Sequence, residues 1–147
     1  MKKLILSLVL LVSIASCDDC GDIACVTSPP VFYLELIDKV SGENLLTNGT
    51  YSENDISITN LEEQGKEVEF VFEEEDGVNL IYLYPGSGPG SVAYDLTIGS
   101  ESIFNLFATL EIRKSDCCNT TVTTEFSIEN AEYERDENTG NYKIFVD

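Results

Sequence analysis

Five cysteines and 27 acids are the residues of this 147-residue chain with the widest chemical reach, and there is no histidine. Without an imidazole, Ser-His-Asp and Cys-His catalysis are excluded, as are histidine-ligated metals. The cysteines fall into two groups, Cys17, Cys20 and Cys25 near the start and Cys117 and Cys118 near the end. Four thiolates can hold a metal, but adjacent cysteines lack the roughly two- to four-residue spacing of such sites, so no metal is expected on them. Paired carboxylates can hydrolyse a glycosidic bond. Among 27 acids, however, some pair always lies at a suitable distance, and there is no tryptophan to stack a sugar. No catalytic residue is assigned, and the chain reads as non-enzymatic. Glu134 to Gly140 places acid or amide side chains at alternate positions, partly like a calcium loop. Its glycine comes one place late and no closing glutamate follows, so a hairpin turn through Asn138-Thr139-Gly140 accounts for the same residues. Pro85 to Ser91 is glycine-rich but lacks the lysine and following helix of a phosphate cradle, and reads as a loop.

The N-terminus carries an address. Met1-Lys2-Lys3 is a short basic region, followed by an apolar run from Leu4 to Ser16 that ends at Cys17. That is the layout of a signal peptide. The run is too short for a permanent span, which takes about 20 apolar residues. Ile14-Ala15-Ser16-Cys17 resembles the lipobox of bacterial lipoproteins. The resemblance covers about the first 20 residues and implies cleavage before Cys17, lipidation of that thiol and attachment to a membrane through the lipid. The acidic stretch Asp18-Asp19-Cys20-Gly21-Asp22 resembles the export signal of Bacteroidota-type surface lipoproteins, which implies an outer-membrane, surface-exposed location. An aspartate directly after the cysteine also resembles an enterobacterial retention signal, so a periplasm-facing location is the alternative.

With Cys17 assigned to lipid, Cys20, Cys25, Cys117 and Cys118 remain, an even number in an exported chain and hence two expected disulfides. A bridge between Cys117 and Cys118 is disfavoured, because adjacent Cα atoms sit about 3.8 Å apart and bridges usually need roughly 4.4 Å or more. Two bridges from the N-terminal segment to the Cys117-Cys118 turn are expected, in an order the sequence leaves open.

The elements that must position these residues read as strands. From Val31 onward short runs alternate apolar and polar residues between turn-formers. Lys66 to Glu74 is the clearest, with Val68, Phe70 and Phe72 on one face and Glu67, Glu69 and Glu73 on the other. The other expected strands are Val31 to Asp38, Asp55 to Leu61, Val78 to Tyr84, Val92 to Ile98, Ile103 to Arg113, Thr121 to Glu134 and Asn141 to Val146. About eight strands with short links imply an all-β fold, an antiparallel β-sandwich, with a β-barrel as the alternative. The opening strand and turn, Leu36 to Leu45, are similar to the start of immunoglobulin-like and transthyretin-like modules on bacterial surfaces. Tyr82, Tyr84 and Tyr94 are expected in the core.

The domain reading is a signal peptide over 1–16, an acidic tether with disulfide cysteines over 17–30 and a β-sandwich over 31–147. Cleavage would leave 147 − 16 = 131 residues with a charge of (8 − 2) − 27 = −21. That charge makes nucleic acid and anionic surfaces poor partners. The resulting expectation is a lipid-anchored envelope module that needs no cofactor and binds a protein or a glycan or serves a structural role, with calcium-dependent binding as an alternative and a small carboxylate hydrolase as a remote one.

Overall fold

In the computed structural model, which describes residues 24–25, 29–115 and 117–147, the alternating runs become ten strands. They are β1 (Phe32–Asp38), β2 (Ile56–Asn60), β3 (Lys66–Glu67), β4 (Phe70–Glu75), β5 (Val78–Leu83), β6 (Gly90–Ile98), β7 (Glu101–Lys114), β8 (Asn119–Glu129), β9 (Glu132–Arg135) and β10 (Tyr142–Val146). A 3-10 turn at Glu53–Asp55 is the one helical element among the described residues. The all-β expectation holds.

Sheet I has the order β4-β5-β1-β10-β9 and sheet II the order β3-β2-β6-β7-β8. They pack face to face over one core. Phe32, Leu34, Leu36, Ile81, Leu83, Ile144 and Val146 enter it from sheet I, and Ile58, Leu96, Phe104, Leu106 and Ile128 from sheet II. Because successive side chains point to opposite faces of a strand, every second residue of β1, and of β7 from Phe104 to Leu110, is buried. Among the described residues no strand pairing joins the two sheets, so the arrangement is sandwich-like and not a closed barrel.

Two expectations are corrected. The strands number ten because two of the expected runs are each divided between the sheets. Lys66 to Glu74 begins in sheet II as β3, opposite Asn60 and Thr59, and continues in sheet I as β4, opposite β5. Thr121 to Glu134 leaves sheet II after β8 and enters sheet I as β9. At this second corner Asn130 takes the left-handed backbone (φ 71°), a conformation that asparagine tolerates better than most residues. Inward-facing side chains stay inward through the first crossing, since Val68, Phe70 and Phe72 all pack on the core. The alternation therefore runs on without a break while the pairing partner changes.

The sheets are also not purely antiparallel. β1 pairs in parallel with β10, from Leu34 beside Tyr142 to Asp38 beside Val146. The first and last strands lie far apart in sequence, so no short link constrains their relative direction. Elsewhere hairpins dominate. Asp76 and Gly77 (φ 53° and 82°) form the two-residue β4-β5 turn, a geometry that requires positive φ at both positions and favours Asp-Gly.

β7 and β8 outrun their neighbours. β6 meets β7 only as far as the Gly90-Leu110 pair, whereas β7 and β8 stay paired to Lys114 and Asn119. Beyond Leu110 they form a two-stranded arm with Cys117 and Cys118 at its tip.

Candidate functional site

Glu35 lies in the middle of β1, on the face of sheet I directed away from the core, yet only 7 % of it is exposed. The cover is the segment between β1 and β2. Asn44 bridges to Ile37, and its side chain caps its own turn by accepting from the backbone N–H groups of Leu46 (2.9 Å) and Thr47 (3.0 Å). Asn79 at the start of β5 holds the same segment, donating its backbone N–H to Thr47 Oγ1 (2.8 Å) and its Nδ2 to the Leu46 carbonyl (3.1 Å). Leu45 and Leu46 are thereby drawn into the core. A long connection that keeps its backbone satisfied through Asx turns and buries two leucines is a rigid wall.

The Glu35 carboxylate is satisfied by amides. Asn141, itself only 8 % exposed, donates Nδ2 to Oε1 at 3.0 Å, and Asn44 makes a longer 3.4 Å contact to Oε2. Lys143 stands beside Glu35 in register on β10, with Glu134 of β9 on its other side. A buried carboxylate is tolerated only with such partners. Across the face, the turn from β9 to β10 supplies the second wall. Asp136 Oδ1 accepts from the N–H groups of Asn138 (2.9 Å) and Thr139 (3.3 Å), and Oδ2 meets Lys143 Nζ at 2.9 Å. Lys143, followed by these two N–H groups, brings the Asp136 carboxyl down from its ordinary 3.8 to about 2. The same pair raises the Lys143 ammonium, with the Glu35 and Glu134 charges adding to the effect.

A folded pKa below the unfolded one contributes stability above the unfolded value and loses it as pH falls through the folded value. The Asp136 contribution is therefore expected intact above about pH 4 and lost between about 4 and 2. Asp136→Asn should flatten that limb of an acid-denaturation curve. An unchanged limb would show that the pair contributes nothing.

Between the walls run two adjoining depressions of about 550 and 440 Å³ that share Glu35, Val78 and Lys143. Ile37 and Phe145 add apolar surface to the first and Leu80 to the second. The trough offers one ammonium, several amides that can both donate and accept, and carboxylates that accept. It is equipped for hydrogen bonding. The sequence gives little sign of it, since its acids look like any other solvated acid. The one readable signal is the pair Leu45-Leu46 flanked by Asn44 and Asn48 inside a stretch with no strand pattern.

The calcium-like stretch is used as the hairpin turn, with Gly140 donating its N–H to the Asp136 carbonyl at 2.8 Å. Among the described residues no group of three or more cysteines or acids converges as a metal site. The tyrosines are a partial correction. Tyr94 is buried in the core, but Tyr82 and Tyr84 face outward, Tyr84 being 43 % exposed. Tyr82 packs edge-on against Tyr33 at 4.8 Å and donates its hydroxyl to Glu75 at 2.9 Å. Partial burial and the nearby Glu75 and Glu73 push the Tyr82 phenol up to about 12. The expected core role failed because alternation sorts two faces but does not say which one is covered.

A third depression of about 510 Å³ lies where β8 parts from the β9-β10 hairpin. Its aromatic floor is already packed: Tyr142 stacks on Phe126 at 3.7 Å, and the Arg135 guanidinium sits 5.4 Å from the Tyr142 ring. The glycine-rich loop leans on the arm, where Thr121 Oγ1 donates to the Ser87 carbonyl at 2.6 Å.

Of the cysteines, Cys25 and Cys118 are bonded to each other, closing a sequence separation of 93 with a Cα–Cα distance of 5.6 Å. Cys117 is disulfide-bonded as well. Cys17, assigned to lipid, and Cys20, assigned to a bridge, lie outside the described residues. No protein-family model, curated protein or solved structure matches the chain.

Proposed function

We propose that this protein is an exported lipoprotein, acylated on Cys17 and attached to the outer membrane, surface-exposed, whose β domain binds a ligand without transforming it. The supporting observation is the cysteine account. Cys25 and Cys118 take each other and Cys117 is bonded too, so a second bridge from Cys117 to Cys20 uses four of the five cysteines. The fifth is Cys17, in the lipobox-like stretch. Mass spectrometry of the protein extracted from membranes is expected to show a diacylated or triacylated Cys17 at the mature N-terminus. An unmodified Cys17 in a bridge to Cys117 would sink the anchor.

The ligand surface in this reading is the trough on the outer face of sheet I. Its mixture of amides, acids and one ammonium over an apolar strip suits a neutral, hydroxyl-rich glycan or an extended peptide backbone, since the surrounding charge repels anions. Calorimetric titration with neutral oligosaccharides and peptides is expected to give binding that Lys143→Ala weakens about tenfold, a charged hydrogen bond contributing roughly 1.5 kcal/mol. Binding unaffected by Lys143→Ala would place the ligand elsewhere. An immunoglobulin-like or transthyretin-like form of the sandwich belongs to the same proposal, supported by two stacked sheets with hairpin links.

A further inference from the structure

The mature chain carries six basic residues, Lys39, Lys66, Arg113, Lys114, Arg135 and Lys143. Lys39, Lys66 and Lys143 are in ion pairs with acids, and Arg135 lies over Tyr142. Arg113 and Lys114 form no ion pair among the described residues. They are consecutive and exposed, at the end of β7 on the arm, next to Ile112, an isoleucine left 45 % exposed. With Glu111 and Asp116 counted, residues 110 to 120 are neutral in sum (+2 − 2 = 0), against −21 for the mature chain.

Covalent structure then says where this end of the domain must be. Cys25 is bonded to Cys118 at the arm tip, and eight residues of chain reach at most about 28 Å. A bridge from Cys117 to Cys20 shortens the path from Cys17 to three residues, about 10 Å. β1 starts at the arm end, where Phe32 meets Phe126 at 5.1 Å, and runs away from it. Val40, after the end of β1 and 93 % exposed, is therefore at the opposite end of the sandwich.

We infer that the arm tip, through Ile112, Arg113 and Lys114, rests on the anionic phospholipid headgroups of the leaflet that holds the acyl chains, leaving the end that carries Val40 as the membrane-distal one. The inference rests on the lipid anchor proposed above. Basic residues next to an anionic leaflet favour contact by about fivefold each, and the anchor supplies the high local concentration that two charges alone lack. The chain's overall charge and the tether acids Asp18, Asp19 and Asp22 oppose an anionic surface, so the placement rests on the short covalent path to the anchor, and Arg113 and Lys114 are the cations that offset the repulsion at the arm tip within a Debye length of roughly 10 Å.

The absence of tryptophan provides the test. Lipidated protein carrying Ile112→Trp, reconstituted in phosphatidylglycerol-rich vesicles with brominated lipid, is expected to show quenched, blue-shifted emission. Val40→Trp should show neither. Arg113→Ala with Lys114→Ala in the Ile112→Trp background should lower the equilibrium constant for contact by about 25-fold, seen as weaker quenching. An unquenched Ile112→Trp with Cys17 acylated overturns the contact and leaves the anchor standing. Unacylated Cys17 with no vesicle association removes both. Unchanged quenching with a lower Tm in the double alanine variant would mean that the two cations serve the tether acids Asp18, Asp19 and Asp22, and would likewise overturn the contact.

Discussion

Removing both bridges at the arm tip is expected to lower the unfolding free energy by up to about 7 kcal/mol in the chain-entropy model, whereas removing only the Cys25-Cys118 bridge costs about 2 kcal/mol. The asymmetry follows from nesting. Cys25 and Cys118 are 93 residues apart, and the bridge at the adjacent Cys117 closes nearly the same loop when it leads to Cys20. Either one supplies almost all of the large loop-closure entropy, about 4.7 kcal/mol, and the second adds only the closure of a short ring. Urea unfolding of the oxidised protein, of Cys25→Ser with Cys118→Ser, and of the fully reduced protein separates the three levels. A double-serine variant as unstable as the reduced protein would show that the second bridge contributes no restraint of its own. The thiols freed on reduction leave the core intact, since the arm lies outside it.

Phe32→Ala is expected to cost about 3 to 5 kcal/mol. Phe32 is 2 % exposed and belongs to the core. Its ring meets Phe126 of β8 edge-on at 5.1 Å and Tyr142 of β10 at 6.2 Å, so one side chain ties the opening strand of sheet I to the edge strand of sheet II. Truncation removes buried apolar area and the edge-on aromatic contacts together. Phe32→Leu should recover most of the loss by refilling the space. A loss below about 1 kcal/mol for Phe32→Ala, less than core truncations cost, would mean that the aromatic cluster closes over the gap and that the two sheets are held together elsewhere.

Much of the fold was legible from period and turn chemistry. The β4-β5 hairpin could be read from Glu75-Asp76-Gly77 and the last hairpin from Asn138-Thr139-Gly140, because positive φ and Asx capping are local demands met by local residues. Of the expected bridge cysteines, Cys25, Cys117 and Cys118 were legible by count. The site was not. Glu35 in Leu34-Glu35-Leu36 reads as an ordinary outward acid, and it becomes a buried carboxylate only because Asn44 and Asn141 arrive from 9 and 106 residues away. Tyr82 and Tyr84 went astray for a related reason, since the covered part of the outer face ends before it reaches them.

Residue order alone determined which side chains turn inward, where the chain turns, and that the cysteines join one end of the chain to the other. A strand has two faces and its alternation encodes them directly, so these properties survive with no knowledge of neighbours. Tertiary structure alone decided which strands lie side by side. Val68, Phe70 and Phe72 keep pointing inward while the chain passes from sheet II to sheet I, and β10 lies parallel to β1. The inner faces of both sheets line the same core, so burial energy is indifferent to which partner a strand takes. That choice rests on backbone hydrogen bonding and core shape summed over the whole domain. The same sum brings Glu35, Asn141 and Lys143 together in the trough.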